Sequence, residues 1–155
     1  MLKELLGIRE GILEDLHQDH QEVSTLIERI LAARSHERRA ELFKELKAKL
    51  LAHAGAEEKV LYRRMTKSAD AAVRRFALEG GVEHETVEGQ LDRLSRSTAK
   101  DGEAWTARLT VLRELIDHHV REEESTGFAD ARKEFDGERL RELGEEFRRE
   151  KERLP

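Results

Sequence analysis

His53-Ala54-Gly55-Ala56-Glu57-Glu58-Lys59-Val60-Leu61-Tyr62 is the stretch on which the reading of the chain turns. A histidine and a carboxylate stand four positions apart in a half-apolar pattern of helical period. That spacing puts His53 and Glu57 on one helix face, one turn apart, with Cβ atoms roughly 5–6 Å from each other. Sixty-six residues later the figure returns as His119-Val120-Arg121-Glu122-Glu123-Glu124-Ser125-Thr126-Gly127-Phe128. Again a Glu follows the His by four positions and an aromatic follows it by nine.

Outward from the first stretch, the pattern predicts a helix from a Ser35 N-cap to about Met65, with Phe43, Leu46, Leu50, His53, Glu57, Val60, Leu61 and Met65 on its apolar stripe. Upstream, a helix from about Leu2 or Ile8 to Ala33 carries Leu13, Leu16, Val23, Ile27 and Ile30, and His20 falls within that series. A third helix starts near Ser68 or Asp70, meets an expected kink or break at Gly80-Gly81, and then carries His84, Val87, Leu91 and Leu94 on one stripe. The fourth, from about Glu103 to Ser125, shows Trp105, Leu109, Leu112 and Ile116, then His119 and Glu123, with Thr126-Gly127 closing it. Short turns between long helices predict an all-α, antiparallel, up-down four-helix bundle over residues 1–135 with the site at its centre. Residues 136–155 read as a short amphipathic helix, Leu140, Leu143, Phe147 and Leu154 forming its narrow stripe, packed on or extending the bundle.

Composition sets the limits of the chemistry. At 155 residues, 41% charged and 37% hydrophobic, the chain is long enough for one domain with a real core. Its net charge of −5 is spread over interspersed acids and bases, which offers no basic footprint for nucleic acid. It has no cysteine, so thiolate sites, iron–sulfur clusters and disulfides are excluded. Any metal must be held by imidazole and carboxylate, a donor set that suits iron, manganese or zinc. The charged opening residues do not resemble a secretion signal, and no stretch approaches the length of a membrane span; a cytoplasmic protein is expected.

Each of the four helices brings a histidine to a core position, and two bring a glutamate as well. Six polar groups converging without a partner would cost several kcal/mol each in desolvation, which exceeds a domain's whole net stability. A pair of bound cations resolves the conflict by compensating the carboxylates and using the imidazole lone pairs. The halves also echo each other: Asp19-His20 is followed 64 residues later by Glu83-His84. The site therefore has a pseudo-twofold plan. A ferritin-like centre needs two Glu-x-x-His strings, and the chain has only Glu14-Asp15-Leu16-His17. No His-Glu-x-x-His string of a zinc protease is present.

These motifs, Asp19-His20, His53-x-x-x-Glu57, Glu83-His84 and His119-x-x-x-Glu123, with aromatics at Tyr62 and Phe128, resemble those of the hemerythrin-like HHE cation-binding family over about residues 12–130. The chain departs from the family's frequent Pro after the aromatic, having Arg63 and Ala129 there, and from the second helix-three His of the oxygen carriers, having Glu88 there. The resemblance implies two iron ions in an oxo- or hydroxo-bridged non-haem centre, with zinc or manganese as substitutes. In it Glu57 and Glu123 bridge, and His20, His53, His84 and His119 are terminal ligands. Five ligands per iron then leave one open position on each, for O2, H2O2 or NO.

The expected role is binding, sensing or detoxification of such a ligand, or catalase- or peroxidase-like turnover; a metal-free helical interaction module is the third reading. No nucleic-acid or membrane partner is expected, and the chain reads as a monomer or weak homodimer. Three residues keep alternatives. Glu88 is a further ligand or a solvated carboxylate, His17 is a ligand or a flanking hydrogen-bonding histidine, and Tyr62 is core or a hydroxyl approaching the site. His118 and Glu122, on a neighbouring stripe, are expected outside the ligand set.

Overall fold

The computed structural model describes residues 8–154. Four long helices form the bundle: α1 (Ile12–Ala32), α2 (His36–Glu57), α3 (Ala71–Arg96) and α4 (Glu103–Glu122). α2 continues through a π-helical turn, Glu58–Tyr62, and a last α turn, Arg63–Met65. α4 continues through a second π-helical turn, Glu123–Gly127, into α5 (Phe128–Glu134). α6 (Gly137–Arg153) follows and packs on α1 and α2. The expected caps form where the sequence placed them: Ser35 accepts from the Arg38 N–H and Asp70 from the Ala72 N–H, satisfying helix-start donors that have no intrahelical partner.

Two buried apolar clusters fill the bundle. One joins Leu13 and Leu16 to Val60, Met65, Phe128, Leu143 and Phe147; the other joins Val23, Ile27 and Ile30 to Leu46, Leu91, Trp105 and Leu109. Along each long helix, the histidine positions fall between the residues of these two clusters. The polar groups thus form a layer across the bundle with apolar packing on both sides.

Three boundaries differ from the sequence reading, and glycine is the reason each time. α1 begins at Ile12 rather than Ile8, because Gly11 takes a left-handed φ of 54° that ends the helical path (a start at Leu2 lies outside the described residues). A side chain there would also strike the Leu140 carbonyl of α6. α3 does not break at Gly80-Gly81. A Cβ on Gly80 would lie 2.7 Å from the Tyr62 ring, so this glycine makes room for an aromatic inside a continuous helix. Thr126-Gly127 does not close α4 either: the chain stays helical to Glu134, and Gly127 lies where a Cβ would meet the Phe76 ring at 2.4 Å.

Gly80→Ala sets two effects against each other. Helix propensity alone would raise stability by about 1 kcal/mol. Crowding of the Tyr62 ring costs about 1–3 kcal/mol and should win, so urea denaturation is expected to show a net loss.

Candidate metal centre

Three of the four inward histidines donate from the outer nitrogen to a carboxylate, and the fourth has one nearby. The His53 Nδ1–H donates to Asp19 Oδ2 at 2.8 Å, His20 Nδ1–H to Glu124 Oε2 at 2.7 Å, and His119 Nδ1–H to Glu83 Oε1 at 2.9 Å. His84 Nδ1 faces Glu58 Oε2 at 3.4 Å and makes no hydrogen bond among the described residues. For His20, His53 and His119 the arrangement fixes the tautomer: with Nδ1 protonated, the Nε2 lone pair points inward, the orientation that imidazole ligands of metals adopt.

The inward atoms meet two carboxylates that solvent barely reaches, Glu57 at 0% and Glu123 at 1% exposure. Glu57 Oε1 lies 3.1 Å from His84 Nε2 and 3.8 Å from His53 Nε2. Glu123 Oε1 lies 3.1 Å from His20 Nε2, and its Oε2 lies 3.7 Å from His119 Nε2. The donors fall into two clusters, His20–His53–Glu123 and Glu57–His84–His119, each with one donor atom per residue within 4.8 Å of the others. All six residues singled out in the sequence are therefore brought together.

The fit to cations can be tested on the polar atoms themselves. His20 Nε2, both Glu57 oxygens and Glu123 Oε1 are buried without any hydrogen-bond partner. Leaving such atoms unpaired costs about 1–3 kcal/mol each, more for charged groups. Nitrogen and oxygen atoms 3.1 Å apart that do not bond to each other, with lone pairs turned to shared space, are the donor set a cation requires. The residues fit two metal ions.

Without metal, protons substitute. Burial disfavours a charged His20, but Glu123 and Glu124 overcome it and raise its pKa to about 10; burial likewise opposes a charged His84, and Glu57 and Glu58 raise it to about 10. Burial, reinforced by the Glu123 charge, pushes Glu57 up to about 8. Burial also pushes Glu123 upward, but His20 and His119 overcome it and hold this carboxyl well below the usual range. His53 goes the other way, down to about 4, chiefly through burial.

Tyr62 joins the site. Its hydroxyl donates to Glu123 Oε2, lies 3.4 Å from His119 Nε2, and its ring stacks on His84 at 5.4 Å between centroids. In an unbroken α-helix residue 62 would sit about 140° round from residue 57. The wider winding of the π-helical turn between them turns Tyr62 back toward the Glu57 face. His17 donates to Glu124 at 2.9 Å and so flanks the site as a hydrogen-bonding residue outside both donor clusters. Glu88 is exposed, outside both clusters, and lines an apolar cavity of about 40 Å³ beside the four histidines. His118 is exposed with its Nε2 3.7 Å from Glu83 Oε2, and Glu122 is exposed. Glu58 and Glu124 were missed from sequence. Their signal was there: each directly follows an inward glutamate, at the same place in both repeats.

A four-helix bundle with a histidine–carboxylate layer open to two cations is the class that fold and site define. The family described as the hemerythrin HHE cation binding domain matches residues 11–131, and the chain belongs to that family. The chain is also similar to a protein of Nostoc sp. described as a DNA nickase, 28% identical over 149 residues. That match covers 93% of this chain and 40% of the relative, so the chain spans two-fifths of the relative's length. No solved structure matches significantly. Among the described residues no helix is long and apolar enough to cross a membrane.

Protonation and metal binding compete for the same lone pairs, which gives a pH test. His20 and His84 (ordinary value 6.5) and Glu57 (ordinary value 4.5) have raised folded-state pKa values, so their protons stabilise the metal-free fold at low pH. That contribution is lost as pH rises through about 8 for Glu57 and about 10 for the histidines. Thermal melts should show the metal-free Tm falling between pH 6.5 and 10, with the loaded protein falling less, so that the gap widens with pH. Parallel curves would contradict the assignment.

Proposed function

We propose that the chain is a non-haem di-iron protein in which His20, His53, Glu57, His84, His119 and Glu123 hold two iron ions, and that the centre meets O2, peroxide or nitric oxide in binding, sensing or detoxification. The observation that carries this reading is that each inner carboxylate touches an imidazole of both donor clusters: Glu57 approaches His53 and His84, and Glu123 approaches His20 and His119. Carboxylates so placed suit bridging roles. Iron supplies redox chemistry toward small oxygen and nitrogen ligands.

The chain's own residues set which ligands enter. The cavity beside the histidines is lined by Val23, Leu50, Leu91 and Ile116 besides the rings, and its volume of about 40 Å³ suits a diatomic or peroxide and little larger. Tyr62, whose pKa is raised by burial and then by the Glu123 charge, keeps its proton and directs it at Glu123. Catalase- or peroxidase-like turnover is the enzymatic form of the same reading.

Metal analysis of freshly purified protein, with optical spectra under reducing and oxidising conditions, tests it: two irons per chain are expected, and a single zinc would overturn it. Glu57→Ala is expected to lose metal rather than activity alone. Release of oxygen from peroxide, abolished in a folded His119→Ala protein, would separate the enzyme from the carrier.

A second reading, contact with a nucleic-acid backbone, is favoured by one surface feature that average composition concealed. Lys59, Arg63, Arg64 and Lys67 at the end of α2 face Arg149 and Arg153 of α6 across a groove of about 610 Å³ that also holds Glu146 and Glu150. Six cations against two carboxylates give the groove +4 in a chain of −5, so the rest of the molecule carries −9. Arg63, Lys67 and Arg149 form no ion pair among the described residues. The Nostoc relative's description points the same way. With about three phosphate contacts, the affinity for labelled single-stranded DNA should fall with a log–log salt slope of about −2, and Arg63→Glu with Arg149→Glu should abolish binding. Anisotropy that stays flat at low salt would dispose of this reading.

A further inference from the structure

The two donor clusters are related by the internal repeat, yet the carboxylates behind them are framed very differently. Behind His20 and His53 stand Glu124 and Asp19. Glu124 accepts from both His20 and His17. The Asp19 side chain, 5% exposed, accepts from His53 and, through both oxygens, from Lys151 Nζ of α6 at 2.8 and 3.0 Å. The Phe147 ring, also from α6, meets His53 edge-on at 5.7 Å.

The repeat-related pair is more exposed, and one of its two contacts is long. Behind His84 stands Glu58, its side chain 41% exposed and 3.4 Å away; behind His119 stands Glu83, hydrogen-bonded at 2.9 Å but 35% exposed, with the exposed His118 beside its other oxygen at 3.7 Å. No lysine or arginine pairs with either among the described residues, and the position 64 residues after His17 is Gly81, which offers Glu58 no hydrogen-bond donor side chain. α6 follows the residues that match the family, so the grip of Lys151 on Asp19 is supplied from outside the repeated bundle.

We propose that the two metal positions are unequal: His20–His53–Glu123 is a preorganised, tight position, Glu57–His84–His119 is the one that gives up its ion first, and Lys151 of α6 is a positioning residue for the tight one. This rests on the two-metal reading above. The physical ground is that a ligand whose orientation is fixed beforehand loses less freedom on binding. Groups that fix such ligands contribute about 10–100-fold to metal affinity.

Anaerobic titration of the metal-free full chain with ferrous iron against a competing chelator tests this. Wild type is expected to bind two ions whose affinities differ by about tenfold or more. Lys151→Met should weaken the tighter ion by about tenfold, leave the weaker one in place and so close the gap, while Lys151→Arg preserves it. His17→Ala, a change at the edge of the site, should act in the same direction and serves if Lys151→Met fails to fold. A purely structural role for Lys151 would lower the apo melting temperature and weaken both ions alike. Two ions of equal affinity in wild type, or equal weakening of both in the variants, would overturn the inequality while leaving the two-metal reading standing. Binding of no ion at all would instead overturn that reading.

Discussion

The structure depends on one constraint: four imidazoles must turn the same edge inward. In water a histidine ring rotates and exchanges tautomers freely. Here the carboxylates of Asp19, Glu58, Glu83 and Glu124 stand at the outer nitrogens and leave Nε2 facing Glu57 and Glu123. A buried layer this polar between two apolar clusters would ordinarily be a defect in the fold. It becomes tolerable when protons or cations occupy the inward lone pairs, and the raised pKa values of His20, His84 and Glu57 show protons meeting that demand in the metal-free chain.

The internal repeat governs the geometry and its departures. Both inner glutamates sit at the threshold of a π-helical turn, at Glu58–Tyr62 and Glu123–Gly127, so the backbone is widened at matching points on α2 and α4. The aromatics nine residues after each histidine, Tyr62 and Phe128, are both buried, but only Tyr62 carries a hydroxyl to the site. That difference places a proton donor on one side of the pseudo-twofold alone. Gly80 makes room for the Tyr62 ring, and Gly127 for the Phe76 ring of α3.

Much of this was legible in the sequence because a single helical period carries it. His53 with Glu57, His119 with Glu123, and His20 and His84 within their apolar stripes all report their own facing. The carboxylates behind the rings were less legible, since Glu58 and Glu124 sit among other acidic residues and their partners are a hundred or so, or a few dozen, positions away. Lys151 was invisible for the same reason: nothing local to α6 indicates that its amine reaches Asp19. The glycines misled because a glycine that admits a neighbouring ring looks, in one dimension, like a glycine that breaks a helix. The basic groove was hidden by a net charge that averages over faces which folding separates.

The central claim is that two ions share Glu57 and Glu123 in one centre. Mössbauer spectroscopy of the iron-loaded, oxidised protein, read alongside its electron paramagnetic resonance, addresses that most directly. Two irons per chain in a magnetically coupled pair, silent in electron paramagnetic resonance, are the result this account predicts. An isolated high-spin ferric signal accounting for all the bound iron would contradict it.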